Sequence, residues 1–156
     1  MNFYRTNSSE LIAQLNEHVH TIHVELYPEY FKDYKYESMI VFFNKFINNK
    51  EHLFLVLEDN NDYIGYAWLE LRANAESEFS KGFKDIYVHQ ISIKKGYKGR
   101  GYGQAFMQKI YKIAKLYSIN EIKLDYWIGN DEAANFYKKQ GFVKIREFVV
   151  KKLNEK

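Results

Sequence analysis

One segment constrains the fold of this chain more than any other, because it needs a strand, a tight turn and a helix in that order. Lys98-Gly99-Arg100-Gly101-Tyr102-Gly103 follows a strand-like run over 84–93 and precedes the apolar stripe of a helix over about 102–117. Glycine permits positive φ and lets a ligand approach the backbone amides. Because the first amides of a helix have no internal partner, this turn predicts an anion site.

The charge around the turn favours a phosphate ligand. Lys98 and Arg100 lie within it, and Lys94 and Lys95 lie just upstream. A Walker A loop would need Gly-Lys-Ser/Thr, and a dinucleotide fingerprint would need G-x-G-x-x-G at the first strand–helix turn. The spacing here is G-x-G-x-G, late in the chain. A ligand-free glycine-rich turn is the alternative at this point.

Composition excludes several classes of protein. The chain has 156 residues, which fits one domain, and a net charge of +3, too small for the basic stripe of a nucleic-acid binder. It has no cysteine, so disulfides and thiolate metal sites are excluded. Apolar runs are far shorter than a membrane span, and the first residues lack an apolar leader. We expect a cytoplasmic protein with no nucleic-acid or membrane partner.

Hydrophobic periodicity predicts an α/β fold, a single domain over 1–156 with a mixed sheet and the order β-α-α-β-β-β-α-β-α-β. The strands are expected over 2–6, 52–58, 63–72, 84–93, 121–128 and, as one or two strands, 142–152. The helices are expected from a cap at Asn7 to Leu26, then over 36–48, 102–117 and 131–140. The first helix is expected to bury Leu11, Leu15, Val19, Ile22 and Leu26. Gly65, inside a strand, predicts a bulge or a close backbone approach.

Two blocks of sequence resemble one known family. The glycine turn resembles the R/Q-x-x-G-x-G/A motif of the GNAT superfamily of acyl-CoA N-acyltransferases, with Lys98 in place of Arg or Gln. Asn130 to Phe142 resembles its N-x-x-A-x-x-x-Y-x-x-x-G-F element. A helix and a strand separate the blocks, as the family requires. The resemblance covers about 50–150, while residues 1–50 match only in having one strand and two helices.

The resemblance implies acetyl-CoA as the cosubstrate and no metal. In the family, the strand before the turn and the strand after the crossover helix splay apart, and the pantetheine arm enters the gap. Acetyl-CoA is then expected to contact the backbone of the first of these strands, the amides of the glycine turn and the second motif block. The implied cofactor-binding residues are Ile91, Ser92, Ile93, Lys98, Gly99, Arg100, Gly101, Tyr102, Gly103, Gln104, Asn130 and Tyr137.

The implied chemistry is direct attack of a neutral amine on the acetyl thioester. A backbone N–H of the 91–93 strand is expected to stabilise the oxyanion. The family motif places Tyr137 to give the leaving thiolate a proton or a hydrogen bond. Packing on an amphipathic helix is the alternative role for Tyr137.

The sequence defines less clearly which group is the base that accepts the proton of the amine. His89 lies two residues before Ile91, so strand alternation predicts that both side chains share a face. An imidazole suits a base at neutral pH. Asp85 on the same face, Glu70 on the neighbouring strand, Asp125 and a water chain are alternatives, and His89 could also be purely structural.

The resemblance to the family implies that the amine acceptor lies against the first two helices. Their connection, 25–34, holds three acids and four aromatic residues, which suit a cationic amine but would also suit a solvated loop capping the core. A small amine, such as a polyamine, an amino sugar or an amino acid derivative, is the first prediction. A protein N-terminus or lysine is the competing acceptor.

Two further classes stay open on the sequence alone. One is a regulatory module that binds acetyl-CoA without catalysis, and the other is a nucleotide-binding domain of another kind. The final strand is also compatible with pairing across a homodimer.

Overall fold

The computed structural model describes residues 1–154, which form a five-stranded mixed sheet and four helices. This confirms the α/β class. In chain order the elements are β1 Asn2–Arg5, α1 Ser9–Leu26, α2 Tyr36–Asn44, β2 His52–Asp59, β3 Asp62–Asn74, β4 Phe83–Ile93, α3 Tyr102–Leu116, β5 Ile122–Lys123 and α4 Asp131–Lys139.

The sheet has the order β1-β2-β3-β4-β5. Its first three neighbouring pairs are antiparallel, and β4 pairs with β5 in parallel, as the crossover through α3 predicts. The β2–β3 hairpin turns on Asn60 and Asn61, whose φ values are 51° and 62°. Asparagine tolerates this left-handed conformation, which such a two-residue turn requires.

Apolar side chains cover both faces of the sheet. Val56 and Leu57 point to opposite faces of β2 and are both fully buried. On the face of Val56, α1 and α2 pack Ile12, Ala13 and Phe43 against Phe54, Tyr66 and Trp68. Helix α3 contributes the buried Phe106, Met107 and Ile110 and contacts β4.

Helix α1 differs from its prediction in cap and face. The cap is Ser8, not Asn7, and the Ser8 hydroxyl accepts from the amide of Leu11. The buried residues are Ser9, Ile12, Ala13 and Asn16, one step around from the predicted stripe, while Leu26 is exposed. Asn16 can lie in the core because its amide donates to Tyr66 and Gln90.

The structure has both features predicted at Gly65, a bulge and a close backbone approach. The pairing of β2 and β3 skips one residue beside it, which marks a bulge. A Cβ added there would lie 2.1 Å from the backbone oxygen of Ser92 on β4. Glycine is therefore needed because the two backbones approach too closely for any side chain.

The predictions for the last strands are wrong in extent. The chain divides into two compact units, Met1–Asp125 and Tyr126–Lys156. Strand β5 is two residues long rather than eight, and the described residues after 141 form no strand. Alternating apolar residues make a strand only where another strand supplies backbone partners. The described part of the second unit has none, and the apolar side chains of Val143, Ile145, Phe148, Val149 and Val150 are exposed.

Among the described residues, no helix combines the length and the apolar character needed to cross a bilayer.

Candidate functional site

The glycine turn has the geometry that an anion site needs. Gly99 and Gly101 have φ values of 78° and 84°, and Gly101 is the N-cap of α3. Since Gly101 has no side chain to cap the helix, the first amides of α3 have no local side-chain acceptor there. A Cβ added at Gly99 or Gly101 would meet nothing within 4 Å. The glycines are thus required by their φ values, and the space above them is clear for a ligand.

Two carboxylates of the β2–β3 turn hold the glycine turn in place. Tyr97 donates its hydroxyl hydrogen to Asp62, which also pairs with Lys94 at 3.0 Å. The Tyr102 hydroxyl donates to Asp59 at 2.9 Å. The cluster Asp59-Asn60-Asn61-Asp62 thus does more than close a hairpin, because its carboxylates anchor a tyrosine on each side of Gly99.

Strand β4 has a backbone edge beside the turn that pairs with no strand of the described residues. Its parallel pairing with β5 involves only Ile86 and Tyr87, whereas β4 continues to Ile93. In the described part of the chain, no strand pairs with this edge beyond Tyr87. Ile91, Ser92 and Ile93 lie in that stretch and pair on their other side with β3. Alternate backbone groups are therefore available to an extended ligand, as in strand addition.

A bulge in β4 changes the face of His89. Trp68 pairs with Gln90 and Leu69 pairs with Val88, so His89 is an extra residue between them. Its ring stacks on Trp68 with centroids 4.2 Å apart. Ile91 pairs with Ala67 and lies on the opposite face. The prediction that His89 and Ile91 share a face is wrong, because the inserted residue reverses the alternation.

His89 and Glu70 form a half-buried pair on the face covered by α1 and α2. His89 Nε2 lies 2.8 Å from Glu70 Oε1, and the two side chains are 27% and 26% exposed. Tyr87 packs edge-on against the His89 ring, with centroids 4.8 Å apart. A carboxylate that accepts the Nε2 hydrogen fixes the neutral imidazole with a lone pair on Nδ1, the form that can accept a proton.

His52 completes a cluster that could be mistaken for a metal site. One ligand atom each of His52, Glu70 and His89 lie within 4.8 Å of one another. However, the Trp68 indole donates to His52 Nδ1 at 3.0 Å. Because Trp is only a donor, Nδ1 must carry the lone pair and Nε2 the proton. A neutral His52 in this state has no lone pair left for a metal ion.

Asp85 is committed to two ion pairs. Arg72 donates to both of its oxygens at 2.8 and 2.9 Å, and Lys123 Nζ lies 3.0 Å away. Asp85 is fully buried. Burial alone would raise the pKa of its carboxyl, but the hydrogen bonds from Arg72 and Lys123 outweigh burial and lower that pKa. This environment fits a structural group, so the geometry disfavours Asp85 as the base.

Asp125 follows β5 and accepts a hydrogen bond of 2.5 Å from the Tyr87 hydroxyl. Its partner is thus a phenol on the neighbouring strand. Tyr87 in turn packs against both His89 and the guanidinium of Arg72. Asp125 is thus connected to the candidate base through Tyr87, which bonds one and packs against the other.

The second unit carries the other motif block. Asn130 caps α4 by accepting from the Ala133 amide at 3.2 Å, so its carbonyl oxygen is used and its amide hydrogens are the group it can offer a ligand. Tyr137 lies among the rings of Tyr126, Phe136 and Phe142. Burial raises the pKa of Tyr137 to about 12, so this phenol keeps its proton at neutral pH.

The connection between α1 and α2 is partly packed against α1. Phe31 stacks on His23 with centroids 5.0 Å apart, and the Tyr34 hydroxyl donates to the Ala13 carbonyl at 2.5 Å. Pro28, Glu29 and Tyr30 are exposed. Part of this aromatic segment therefore caps the core, as the alternative interpretation predicts, and its acidic and aromatic tip faces solvent.

Comparison with known proteins decides the family. The profile described as Acetyltransferase (GNAT) family matches residues 16–142. The chain belongs to the GNAT family of acetyltransferases. The match includes the β4 bulge, the glycine turn and both motif residues Asn130 and Tyr137.

This GNAT family member has relatives among both sequences and solved structures. An N-alpha-acetyltransferase of Sulfurisphaera tokodaii is 28% identical over 108 residues, which cover 67% of this chain and 65% of the relative. A tetramutant of the BH1408 protein from Bacillus halodurans has a TM-score of 0.90, with 19% identity and coverage of 98% and 100% of the two chains. A predicted acetyltransferase with acetyl-CoA from Clostridium acetobutylicum has a TM-score of 0.69, with 18% identity and coverage of 97% and 95%. At these identities the structures establish the fold.

Sequence reasoning about this GNAT protein missed three contributors to the candidate site. His52 and Trp68 bond to each other beneath His89, and Asp59 and Asp62 anchor the glycine turn. The bulge that presents His89 was missed as well. Of these features, only the hydrogen bond between Trp68 and His52 has a weak signal in the sequence. His52 opens one strand of the predicted hairpin, and the other strand carries Trp68 and Glu70.

Proposed function

We propose that this protein transfers the acetyl group of acetyl-CoA to a primary amine. The observation that carries the proposal is the β4 bulge, which presents the His89–Glu70 pair on the same strand that leads, along an unpaired edge, into the glycine turn. A proton acceptor and an anion-binding turn are thereby joined by one short backbone segment. An N-acetyltransferase needs both functions.

The donor is proposed to bind along β4 and the turn. The backbone of Ile91, Ser92 and Ile93 would pair with the pantetheine arm, and the amides of Gly99 to Gln104 would hold the pyrophosphate. Lys98 and Arg100 supply nearby positive charge. The clear space above Gly99 and Gly101 supports this arrangement, since a side chain would occupy the position of the phosphates.

In the proposed reaction the amine nitrogen attacks the thioester carbonyl. The new C–N bond forms as the carbonyl π electrons move to oxygen, where a β4 backbone N–H can stabilise the charge. His89 Nδ1 accepts the proton lost by the amine, and Glu70 stabilises the resulting imidazolium. Collapse of the intermediate breaks the C–S bond. The products are the N-acetyl amine and CoA.

Tyr137 is proposed to donate a hydrogen bond to the departing sulfur. With its pKa raised to about 12, complete proton transfer to a thiolate of pKa about 8.5 would be uphill by about 4 to 5 kcal/mol. A hydrogen bond lowers the energy of the thiolate without that transfer. The proton that neutralises sulfur then comes from solvent or from the protonated His89.

Tyr137→Phe tests this role and separates an enzyme from a regulatory module. The substitution keeps the ring among Tyr126, Phe136 and Phe142 and removes only the hydroxyl. We expect kcat for amine-dependent CoA release to fall by about 10- to 100-fold. Binding of acetyl-CoA, measured by calorimetry, should change little.

Tyr126→Phe is the matched control, because it removes a hydroxyl from the ring stacked on Tyr137. It should leave kcat near the wild-type value. Unchanged turnover in Tyr137→Phe would assign Tyr137 to packing. If wild-type protein binds acetyl-CoA but releases no CoA with any amine, a regulatory module replaces the enzyme.

Gly101→Ala tests the glycine turn. Its φ of 84° strains any residue with a Cβ, and the new methyl group enters the space proposed for phosphate. We expect about a tenfold loss of affinity for CoA in calorimetry, with a modest loss of thermal stability.

Gly141→Ala is the control, since Gly141 also has a positive φ, 92°, and open space around its Cβ position. It carries the same backbone strain outside the turn, so CoA affinity should be retained. Equal affinity in both variants would mean that the turn amides do not hold the pyrophosphate.

For the acceptor we propose a small amine. The acidic, aromatic tip of the α1–α2 connection supports a cationic group. A protein N-terminus is the second candidate, favoured by the similarity to the N-alpha-acetyltransferase of Sulfurisphaera tokodaii. Because this chain covers only 65% of that relative, the comparison of activities needs direct assay. Polyamines, amino sugars and N-terminal peptides at equal concentration would rank the classes by kcat/KM.

We also propose that the protein is cytoplasmic and that residues 1–156 form one functional domain. Homodimer formation is likewise a proposal, and sedimentation of the purified chain across a concentration series tests it.

A further inference from the structure

A second histidine lies behind the His89–Glu70 pair. His52 and Glu70 are directly opposite each other in the β2–β3 pairing, so their side chains share a face. The His52 ring also stacks on that of His89, at 5.9 Å between centroids and 27° between planes. His52 therefore stacks on one member of the proposed base pair and lies next to the other, with ligand atoms of all three residues within 4.8 Å of one another.

The core fixes the protonation state of His52. Trp68 donates to Nδ1 at 3.0 Å, and both residues are buried. Phe46 packs on the His52 ring at 4.9 Å, and Arg5 donates to its backbone carbonyl at 3.3 Å rather than to its ring. Protonation of Nδ1 would set two donors against each other, so the favoured state is neutral with hydrogen on Nε2.

Two carboxylates and one histidine influence the charge of the His52 ring. Glu70 on β3 and Glu51 beside it favour protonation of His52, whereas burial and His89 on β4 oppose it. Burial is the largest of these effects, and the pKa of His52 is lowered. His52 thus stays neutral where an ordinary histidine begins to gain charge.

We propose that His52 is a positioning residue, whose Nε2 hydrogen faces the Glu70 carboxylate and holds it in the orientation that keeps His89 ready to accept a proton. This inference rests on the proposed function, because it assigns His89 as the base. It adds a role to a residue outside the motif blocks. Trp68 donates to His52 and Glu70 bonds His89, while ligand atoms of His52 and Glu70 lie within 4.8 Å of each other, so the four side chains follow one another from the core to the bulge.

Two amide substitutions divide the roles of the two ring nitrogens. Asparagine places its oxygen near the position of Nδ1, so His52→Asn keeps the Trp68 contact and loses the donor to Glu70. Glutamine places its amide nitrogen near Nε2, so His52→Gln keeps the donor and loses the Trp68 contact. The Gln variant should be the less stable and the Asn variant the less active.

Expected kinetics follow from this division. In His52→Asn, kcat/KM should fall about tenfold, and the acidic limb of its pH profile should move to higher pH by about half a unit, since Glu70 then directs more of its charge toward protonated His89. His52→Gln should restore the wild-type profile. If His52 were only a packing residue, neither variant would move the limb, and that result overturns the inference.

Long-range proton–nitrogen NMR spectra of the histidine rings test the same inference without an enzyme assay. Wild-type His52 should show hydrogen on Nε2 and a lone pair on Nδ1 between about pH 6 and 8. Trp68→Phe should release this preference. A cationic or Nδ1-protonated His52 in wild-type protein would overturn the inference even in an active enzyme. Failure of acetyl transfer alone, with the Nε2 form present, would instead overturn the proposed function.

Discussion

Replacing His89 with alanine is expected to lower kcat/KM for amine acetylation by about 10²- to 10⁴-fold, the contribution typical of a positioned base. The variant removes the group that we propose accepts the amine proton, and water cannot match a fixed lone pair beside the acceptor. The affinity for acetyl-CoA should be retained, because the backbone of β4 and the turn remain. A thiol-release assay across pH, with calorimetry for the donor, measures both quantities.

Tyr87→Phe is a suitable control for His89→Ala. It keeps the ring that packs edge-on against His89 and removes the hydroxyl that bonds Asp125. It should change kcat/KM by less than about threefold, since its hydroxyl bonds Asp125. Added imidazole should partly restore His89→Ala. Full activity in His89→Ala with an unchanged acidic limb would assign the proton to Glu70 or to a water chain.

Asp85→Asn is expected to cause the largest loss of stability, about 2 to 4 kcal/mol in the free energy of unfolding. Asp85 is fully buried and neutralises Arg72 and Lys123, which lie on the two strands that flank β4. The amide leaves those cations without their charge partner. Arg72 and Lys123 are 31% and 28% exposed, so solvent offsets part of the cost. The midpoint temperature of thermal unfolding should fall by roughly 5 to 10 °C.

The sign of the pH dependence follows from the lowered pKa of Asp85. The unfolded carboxyl binds a proton at higher pH than the folded one, so the ion pairs stabilise the protein above the unfolded pKa, about 3.9. That contribution is lost as pH falls through the folded pKa. Wild-type stability should therefore drop more steeply than that of Asp85→Asn in acid.

Asp62→Asn is the matched control for stability, because Asp62 pairs with Lys94 at the surface, where both side chains are over 40% exposed. It should leave the unfolding temperature nearly unchanged. Folded Asp85→Asn should retain kcat within about twofold. If its kcat instead collapsed while it stayed folded, Asp85 would be the base and the structural assignment would be wrong.

The fold was largely predictable where the local pattern and the tertiary partner agree. Both arms of the β2–β3 hairpin, the strand over Phe83–Ile93 and the helix from Tyr102 follow from periodicity and glycine placement. The residues after Gly141 alternate like those of a strand. They form none, because no other strand of the described residues pairs with them. Pairing partners are a tertiary property, which local alternation does not contain.

The candidate site was predictable only in part. The motif letters identified the glycine turn, Asn130 and Tyr137 as candidates. Strand alternation predicts that His89 shares a face with Ile91, but the bulge turns the His89 ring to the other face, beside Glu70. A bulge adds one residue without a fixed sequence signature. The Trp68–His52 contact and the ion pairs of Asp85 depend on register across strands, which becomes visible only in the folded sheet.

The most direct test of acetyl transfer is the release of free thiol from acetyl-CoA, measured over a panel of small amines and N-terminal peptides with wild-type protein and His89→Ala in parallel. We predict amine-dependent release by the wild type, saturable in both substrates, and a loss of at least about 100-fold in the variant. Release that does not depend on amine, or none with any acceptor, would contradict an N-acetyltransferase. Equal rates in the two proteins would contradict the site built on His89.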